Sequence, residues 1–389
     1  MKVAFVHDHR FIRRGEKVFS SGGLPASVWP RYLAVFESVT VISRAGAENM
    51  EAKALASAER VDFTLLPSIA SLKGLVRRRD VRARMRAALS KVDCCIIRLP
   101  SELGYLAVAE AQRLGLPFAV EVVDCPWDGM RSHGSLKGRL YAPLAFERMK
   151  MAVSAAPFVL YVTEVFLQAR YPAGPGAQVV ACSNVDIPSP DPAVLAAREA
   201  REASTPAGPI TLGLIGSLNT RAKGIQTVLA ALGEARDNLP PISFRVLGGG
   251  DHAPWVALAR KHGVDDIVRF EGTLPAGEAV LNWLDGIDVY LQPSLKEGLP
   301  RALIEAMSRG CPALGSRCAG IPELLRAEDL IAPGDAAGLA RLMRDRLYDS
   351  KWRTATARSN WTRAGDYAKP VLDARRTAFW ADFAAFARQ

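Results

Sequence analysis

The chain has 389 residues, of which 49% are hydrophobic and 23% are charged. Both fractions are typical of an ordinary globular protein, and they exclude a mostly disordered chain, a collagen-like repeat and a disulfide-stapled miniprotein. At about 150 residues per domain, the length predicts two domains, or three. The net charge of +10 lies mainly in residues 1–190, where 25 basic and 17 acidic side chains leave +8. An anionic partner would therefore meet the N-terminal half first.

The sequence predicts neither a membrane-spanning helix nor a secretory signal peptide. No apolar stretch approaches the ~20 residues that a span needs, and only four apolar residues separate Lys2 from His7. None of the six cysteines forms a Cys-x-x-Cys pair, and the five histidines do not cluster near them. We therefore expect no zinc site, and we expect buried thiols in a reducing cytoplasm.

The N-terminal half alternates short apolar strands with helical stretches. Its predicted strands are 3–7, 39–43, 62–66, 94–99, 117–123 and 158–163. Buried strands that alternate with helical stretches of about 10–15 residues indicate a parallel α/β sheet. We predict a first α/β domain over residues 1–187.

Five prolines interrupt this alternation between residues 186 and 209, which predicts an interdomain linker over residues 188–209. The alternation then resumes, with predicted strands at 210–216, 242–248, 267–270, 287–292 and 312–315. We expect a second α/β domain over residues 210–365. Residues 366–389 space aromatic side chains at helical intervals, so we expect a C-terminal helix that packs back on the N-terminal domain.

The strand-to-helix loops carry the most functional weight, because ligands of parallel α/β sheets bind beyond the carboxyl ends of the strands. The segment PSLKEGLPRALIEAMSRG, residues 293–310, follows a predicted strand and holds Glu297 and Glu305. Two such carboxylates can accept hydrogen bonds from sugar or ribose hydroxyls. If the helix starts near Leu299, the amides of Gly298 and Leu299 favour an anion such as a diphosphate. By itself, the pair also fits a capping glutamate and a solvated one.

Two further loops of the C-terminal half are rich in glycine. In GLIGSLNTRAKGIQTVL, residues 213–229, Gly216 and Gly224 allow a close backbone approach to a ligand. Lys223 can reach a diphosphate there as a point charge, and a surface loop with solvated cations is the alternative. The run of three glycines that begins at Gly248 fits a nucleotide-contacting loop or a tight turn.

The N-terminal half offers weaker candidates. Gly22 and Gly23 lie between the first strand and the first helix, where they permit a close approach or simply form a loop. The segment 120–134 follows another strand and holds Asp124 and His133, and Arg98 stands at the end of a third strand.

The phrase at residues 293–310 resembles the E-x7-E signature of glycosyltransferase family 4. EGTLP at 271–275 and RCAGIPELL at 317–325 match the surroundings of that signature. The resemblance covers residues 210–330 and, more loosely, the N-terminal half. It implies an α/β protein of the GT-B architecture, in which two Rossmann-like domains face each other across a cleft, and a retaining glycosyltransferase activity.

The resemblance also implies roles for individual residues. Glu297 would contact the donor sugar and Glu305 the nucleotide ribose, while Gly216 and Lys223 would approach the donor diphosphate. The family commonly has an arginine where this chain has Ser217, so either Arg221 replaces it or Lys223 acts alone.

Other loops of the family approach the donor as well, and the matching glycines here are Gly22, Gly23 and Gly248. Asp124 and His133 are equal candidates for the polar residue that contacts the donor sugar.

No metal ion or other cofactor is expected besides the nucleotide diphosphate sugar. No two aspartates lie two positions apart, so the Asp-x-Asp metal site of the other large glycosyltransferase fold is missing. Cationic side chains and helix dipoles would then stabilise the leaving diphosphate.

The basic run KGLVRRRDVRARMR, residues 73–86, combines seven cations with apolar residues at helical spacing. We predict that it binds an anionic membrane surface, with a solvated helix face as the alternative. The residues expected to face the membrane are Arg77, Arg78, Arg79 and Arg82. Nucleic acid is not expected as a partner, because no aromatic residue interleaves the cations.

The sequence thus predicts a cytoplasmic bacterial glycosyltransferase, peripheral on the inner face of the cell membrane. It would move a sugar from a nucleotide diphosphate donor to a glycan or lipid-linked acceptor in polysaccharide assembly. The C-terminal domain would hold the nucleotide and the N-terminal domain the acceptor. The alternatives are a sugar-nucleotide epimerase of the same fold and a non-catalytic protein that binds nucleotide sugars.

Overall fold

In the computed structural model, the chain divides into two compact units. Unit 1 comprises Met1–Cys182 and Asp373–Gln389, and unit 2 comprises Ser183–Leu372. The structure describes residues 1–47, 49–52, 54–68, 72–132, 136–203 and 208–389, without the side chains of 72–77, 131–132, 137 and 203.

Unit 1 is built on one mixed sheet. Its strands are β1 (Lys2–Arg14), β2 (Lys17–Ser20), β3 (Ser38–Ala45), β4 (Ala54–Leu55), β5 (Val61–Leu66), β6 (Cys94–Leu99), β7 (Phe118–Val122), β8 (Phe158–Tyr161) and β9 (Gln178–Ala181). The parallel part has the order β5-β3-β1-β6-β7-β8-β9. After the long strand β1 the chain turns at Gly15 and runs back as β2, which pairs antiparallel with the end of β1. Strand β4 pairs antiparallel with β2.

The helices of unit 1 connect consecutive parallel strands. They are α1 (Pro30–Leu33), α2 (Leu72–Leu89), α3 (Glu102–Leu114), α4 (Pro126–Ser132), α5 (Leu136–Ser154) and α6 (Phe166–Arg170). The strands of the sheet read as almost continuous apolar runs because helices cover the sheet.

Unit 2 is built on a fully parallel sheet. Its strands are β10 (Ile210–Ile215), β11 (Ile242–Leu247), β12 (Val268–Phe270), β13 (Val289–Gln292), β14 (Ala313–Ser316) and β15 (Leu330–Ile331). Their order is β12-β11-β10-β13-β14-β15. Counted along unit 2, this is the order 3-2-1-4-5-6 of the Rossmann fold, which reverses direction between β10 and β13.

The helices of unit 2 bury apolar faces against that sheet. They are α7 (Pro192–Ala203), α8 (Ile225–Ala235), α9 (Ala253–Lys261), α10 (Glu278–Asp285), α11 (Arg301–Ser308), α12 (Ala336–Leu347) and α13 (Ser350–Ala364). Leu229 of α8, Phe244 of β11 and Met343 of α12 are fully buried in one hydrophobic core.

The predicted linker, residues 188–209, contains the helix α7. Pro192 stands at its first position, where the missing backbone N–H is not needed by the helix. Arg198 of α7 is buried and donates hydrogen bonds to the backbone carbonyl oxygens of Leu284, at 3.2 Å, and Ile287. The segment predicted as a linker therefore holds a helix, begun at Pro192, that packs within unit 2.

The C-terminal helix α14 (Lys369–Phe386) carries the aromatic stripe seen in the sequence. Within unit 1, the ring of Trp380 lies 6.1 Å from that of Tyr32, and Phe383 lies 5.3 Å from Phe158. The end of the chain thus contributes to the core of the N-terminal unit.

No helix within the described parts of the chain is long and apolar enough to cross a membrane. All six cysteines are free and buried. Burial raises the pKa of the Cys94 thiol to about 12 and that of the Cys125 thiol to about 11. These thiols therefore stay protonated and behave as small apolar side chains.

Candidate functional site

The strand order of unit 2 places two loops side by side at the carboxyl edge of its sheet. Strands β10 and β13 are neighbours, yet the chain leaves them toward opposite edges of the sheet. This switch in direction opens a crevice in which α/β proteins bind ligands. The loop after β10, residues 216–224, holds Lys223, and the loop after β13, residues 293–300, holds Glu297.

Glu297 and Lys223 form an ion pair in this crevice. The Lys223 Nζ atom lies 2.6 Å from Glu297 Oε1. The Glu297 side chain is 8% exposed, whereas that of Lys223 is 29% exposed and open to a ligand. The same oxygen of Glu297 also accepts hydrogen bonds from Gln292 Nε2 at 2.9 Å and Ser294 Oγ at 2.8 Å. A carboxylate with three donors is held in one orientation.

A chain of hydrogen bonds continues behind Glu297 into the sheet. Gln292 Oε1 accepts from the Tyr290 hydroxyl at 3.1 Å, and that hydroxyl accepts from the amide of Ile215 at 3.3 Å. Burial raises the pKa of Tyr290 well above its ordinary value. Sequence reasoning missed Tyr290, Gln292 and Ser294. The one available signal in the sequence was Gln292, which ends an otherwise apolar strand.

Two glycines make room for the ion pair. A Cβ atom on Gly216 would lie 2.5 Å from Lys223 Cγ, so only glycine leaves space for the lysine stem. Gly224 has φ +77°, and a Cβ atom there would lie 1.9 Å from the carbonyl oxygen of Pro293. The loop after β10 therefore packs directly on the loop after β13, and this contact carries Lys223 to Glu297.

The three-glycine run packs against the same loop from the other side. A Cβ atom on Gly248 would lie 1.8 Å from the carbonyl oxygen of Gly216. The amide of Leu218 donates to the carbonyl of Gly249 at 2.9 Å. Gly248 therefore has a structural reason to be glycine, whether or not it also approaches a ligand.

The helix after Glu297 starts later than the sequence suggested. Helix α11 begins at Arg301 rather than near Leu299. Leu299 precedes Pro300, and a residue before proline is disfavoured in the helical conformation. The carbonyl of Gly298 accepts a hydrogen bond from the amide of Gly320 at 2.9 Å, and Leu299 is buried. The amides expected to bind an anion thus lie in the loop before the helix.

Glu305 lies on α11, in its second turn, and is half-buried. Burial raises the pKa of its carboxyl, while Arg301 opposes the shift. Among the described residues, none donates a hydrogen bond to this carboxylate. An ordered acceptor of this kind suits a ligand hydroxyl.

The structure does not assign a role to Arg221. Arg221 and Ser217 are both exposed on the loop after β10, and the Ser217 hydroxyl accepts a hydrogen bond from the amide of Asn219 at 3.3 Å. Arg221 as a replacement for the family's arginine stays a prediction.

In unit 1, the loop of Gly22 and Gly23 is organised by a histidine. Ser20 Oγ accepts from the amides of Gly22 at 3.0 Å and Leu24 at 3.2 Å, and it lies 2.8 Å from His9 Nε2. Burial, with the cations Arg98 and Arg44, lowers the pKa of His9 to about 4. His9 is therefore neutral near pH 7 and can accept a hydrogen bond from the Ser20 hydroxyl. Sequence reasoning missed both His9 and Ser20.

Strands β1 and β6 form the corresponding switch point of unit 1. Asp8 caps α3, because its carboxylate accepts from the amides of Glu102 at 2.7 Å and Leu103 at 3.1 Å. Arg98, at the end of β6, lies 3.9 Å from the buried carboxylate of Glu121. Of this group, sequence reasoning identified only Arg98.

The structure describes one of the two candidates for contact with the donor sugar. Asp124 Oδ1 accepts a hydrogen bond from the amide of Cys125 at 2.7 Å. His133 lies outside the described residues.

The arginines predicted to face a membrane lie on α2 and differ in their surroundings. Arg78 and Arg79 are exposed, and the side chain of Arg77 lies outside the described part. Arg82 instead pairs with Glu110 of α3, which is fully buried. Burial alone would raise the pKa of Glu110, but hydrogen bonds from Arg82 and Arg86 lower it below its ordinary value. A buried carboxylate needs such partners, so Arg82 is held by the protein.

Residues 209–349, which contain the Lys223–Glu297 pair and Glu305, match the family described as "Glycosyl transferases group 1". This match identifies residues 209–349 as a group 1 glycosyltransferase region. This glycosyltransferase is 28% identical to the protein CapJ of Staphylococcus aureus over 362 residues, which are 92% of this chain and 90% of CapJ. It is 33% identical to the amylovoran biosynthesis glycosyltransferase AmsK of Erwinia amylovora over 134 residues, 32% of this chain and 33% of AmsK.

Solved structures show that this glycosyltransferase has the predicted GT-B fold. Sucrose-phosphate synthase from Thermosynechococcus elongatus matches with a TM-score of 0.71 and 17% identity, over 99% of this chain and 100% of the synthase. HepE from Anabaena in complex with UDP-glucose matches with a TM-score of 0.66 and 14% identity, over 98% of this chain and 100% of HepE. At these identities the likeness concerns the fold alone.

Within the described ranges of this glycosyltransferase, no three His, Cys, Asp or Glu side chains come together as a set of metal ligands.

Proposed function

We propose that this glycosyltransferase transfers a sugar, with retention of anomeric configuration, from a nucleotide diphosphate donor to a glycan or lipid-linked acceptor in bacterial polysaccharide assembly. Two relatives support the pathway by their names. One is the amylovoran enzyme AmsK, and the other is a lipopolysaccharide 1,6-galactosyltransferase of Escherichia coli, 31% identical over 127 residues. HepE, which shares the fold, was crystallised with UDP-glucose, so a uridine nucleotide is the first donor to test.

The observation that carries the proposal is the ion pair of Lys223 and Glu297 at the switch point of unit 2. Lys223 is the cation placed to contact a diphosphate in that crevice. When the lysine turns toward a phosphate, Glu297 keeps its hydrogen bonds from Gln292 and Ser294. The carboxylate can therefore stay fixed while a donor binds beside it.

The remaining donor contacts follow from the same geometry. Glu297 would orient the donor sugar, and Glu305, which no described residue engages, would accept hydrogen bonds from the ribose. The amides of Gly298 and Leu299 would face the diphosphate, and the backbone at Gly216 would pass close to it. Gly22 and Gly23 in unit 1, positioned through Ser20 and His9, are further candidate donor contacts by the family resemblance.

Catalysis would depend on positioning and electrostatics. Lys223, alone or together with Arg221, would stabilise the negative charge that develops on the leaving diphosphate. The leaving phosphate would assist the incoming hydroxyl on the same face of the sugar, which explains retention. In this proposal no metal ion or other cofactor takes part, so activity should survive a chelator. Unit 1 would bind the acceptor at an anionic membrane surface, with Asp124 or His133 near the sugar.

A thermal-shift panel of UDP-, GDP-, ADP- and dTDP-sugars tests donor binding. A donor at 100 times its Kd should raise the free energy of unfolding by about 2.7 kcal/mol. No stabilisation by any nucleotide sugar would contradict the proposal.

Product analysis then distinguishes the activities. The proposal predicts an acceptor-dependent glycoside whose anomeric configuration matches that of the donor. An epimerised sugar nucleotide formed without acceptor would instead indicate an isomerase, and binding without any turnover would indicate a non-catalytic protein.

A further inference from the structure

Helix α5 of unit 1 presents an apolar stripe to solvent. Leu136, Leu140, Leu144 and Met151 are 73%, 74%, 55% and 70% exposed. Their spacing of four, four and seven residues places them on one face of the helix. Single exposed leucines are common on protein surfaces, but an aligned set of four marks an interaction surface.

A cationic groove borders this stripe. It has a volume of about 770 Å³ and lies between α2, α3 and α5, with Met151 and Ala155 among its apolar lining residues. Its arginines are Arg78, Arg79, Arg82 and Arg148.

Two of these arginines are available to a partner. Arg148 is held by Glu102 through two hydrogen bonds of 2.9 Å, and Arg82 is held by Glu110. Arg78 and Arg79 are exposed, and no acidic side chain of the described chain pairs with them. Free positive charge and exposed apolar surface thus meet along one side of unit 1.

We propose that the α5 stripe and the arginines Arg78 and Arg79 form the surface by which this enzyme docks on a bilayer of anionic phospholipids. Leucines of α5 enter the boundary between head groups and acyl chains, while the arginines contact the head groups. The inference rests on the proposed function, since a lipid-linked acceptor requires a membrane site. In this proposal the main contact with the membrane is made by α5, not by the basic run at residues 73–86 alone.

Glu147 sets the extent of the insertion. It is exposed and lies on the same face of α5, between Leu144 and Met151. A carboxylate does not enter the acyl region, so the inserted part is the first turns, with Leu136, Leu140 and Leu144.

Charge argues for a membrane rather than a second copy of the chain. In a symmetric dimer through this face, the same patch would meet itself, so Arg78 and Arg79 of both copies would lie in one interface. Like charges disfavour that contact, whereas an anionic bilayer complements them.

Sedimentation with vesicles tests the surface. Full-length protein should bind vesicles of phosphatidylcholine and phosphatidylglycerol in equal parts, and bind pure phosphatidylcholine much more weakly. Leu140→Ser should weaken binding about tenfold, which corresponds to about 1.4 kcal/mol. The matched control is Leu274→Ser, at an exposed leucine of unit 2, which should bind as the wild type does.

The charge contribution has its own pair of variants. Arg78→Ser combined with Arg79→Ser should reduce binding to the anionic vesicles and remove most of its salt dependence. Arg341→Ser, at an exposed arginine of α12, is the control. Loss of binding in the arginine variant, with wild-type binding in Leu140→Ser, would overturn the role of α5 and leave an electrostatic contact only.

Insertion is measured with Leu140→Trp. Its added fluorescence should shift to the blue with anionic vesicles and be quenched by lipids brominated on their acyl chains. An unquenched emission would overturn the proposal, and so would a dimer in light scattering that Leu140→Ser dissociates.

Nucleotide-sugar binding is measured on the same variants and should not change. Docking without any donor binding would reject the proposed function and keep the docking surface. Donor binding and turnover without docking would reject the docking surface and keep the proposed function.

Discussion

Replacing Glu297 by glutamine tests the central feature of the site with almost no change in shape. The glutamine can keep the contacts to Gln292 and Ser294, but it loses the charge that pairs with Lys223 at 2.6 Å. Hydrogen bonds to a charged group contribute about 1.5–3 kcal/mol, against about 0.5–1.5 kcal/mol between neutral groups. The Lys223 side chain is 29% exposed, so water replaces part of its lost partner and the effect on folding should be about 1 kcal/mol or less.

The effect on turnover should be much larger than the effect on stability. Loss of one preorganised electrostatic group in an active site typically lowers kcat by about 100- to 1000-fold. Donor affinity should be unchanged or slightly higher, because Lys223 no longer divides its charge between Glu297 and the diphosphate. A fall in kcat with an unchanged Kd is therefore the expected signature of Glu297→Gln.

The assay combines donor turnover with calorimetric binding of the nucleotide diphosphate. The control is Glu199→Gln, which removes the charge of another carboxylate of unit 2, one that pairs with Arg358 on the surface of the unit. Turnover of Glu297→Gln within about threefold of the wild type would refute the assignment, as would a loss of nucleotide binding equal to the loss of turnover.

Further substitutions test the diphosphate contact, the packing of the loop after β10 and a buried histidine of unit 1. Lys223→Ala should weaken binding of the nucleotide diphosphate about tenfold or more in calorimetry, and Arg221→Ala should do so only if that arginine also reaches the diphosphate. Gly224→Ala should lower the free energy of unfolding by more than about 1 kcal/mol in denaturant titration, because its φ of +77° and a carbonyl oxygen 1.9 Å from the added Cβ both oppose a side chain. Burial lowers the pKa of His7 to about 3, so the unfolded chain binds the extra proton below about pH 6.5 and stability should fall as the pH drops from there toward 3. His7→Gln should flatten this thermal-melting profile, whereas His252→Gln should not.

Much of the fold could be predicted from local patterns. The apolar runs that predicted strands at 94–99, 210–216 and 242–248 coincide within a residue with β6, β10 and β11. Strand periodicity and burial act within a few neighbouring residues, so the sequence records them directly. The predicted linker shows the limit of prediction from local patterns. Prolines interrupt the alternation of strands and helices whether a helix begins there or the chain stays extended.

The candidate site divides in the same way. Seven residues separate Glu297 from Glu305 in a single strand-to-helix unit, which a sequence motif can specify. That Lys223, 74 positions earlier, lies 2.6 Å from Glu297 follows from the adjacency of β10 and β13 in the sheet.

The alternation of elements, the glycosyltransferase motif and the residue types of the loops can each be recognised in a short stretch of chain. Which side chains meet depends on the tertiary structure. Arg82 looked free in a basic run, and α3 supplies the buried Glu110 that binds it. Ser20 looked like a loop residue, and the neighbouring strand brings His9 to its hydroxyl. The leucines of α5 gave no signal as a surface, because exposure depends on which helix faces the rest of unit 1 leaves uncovered.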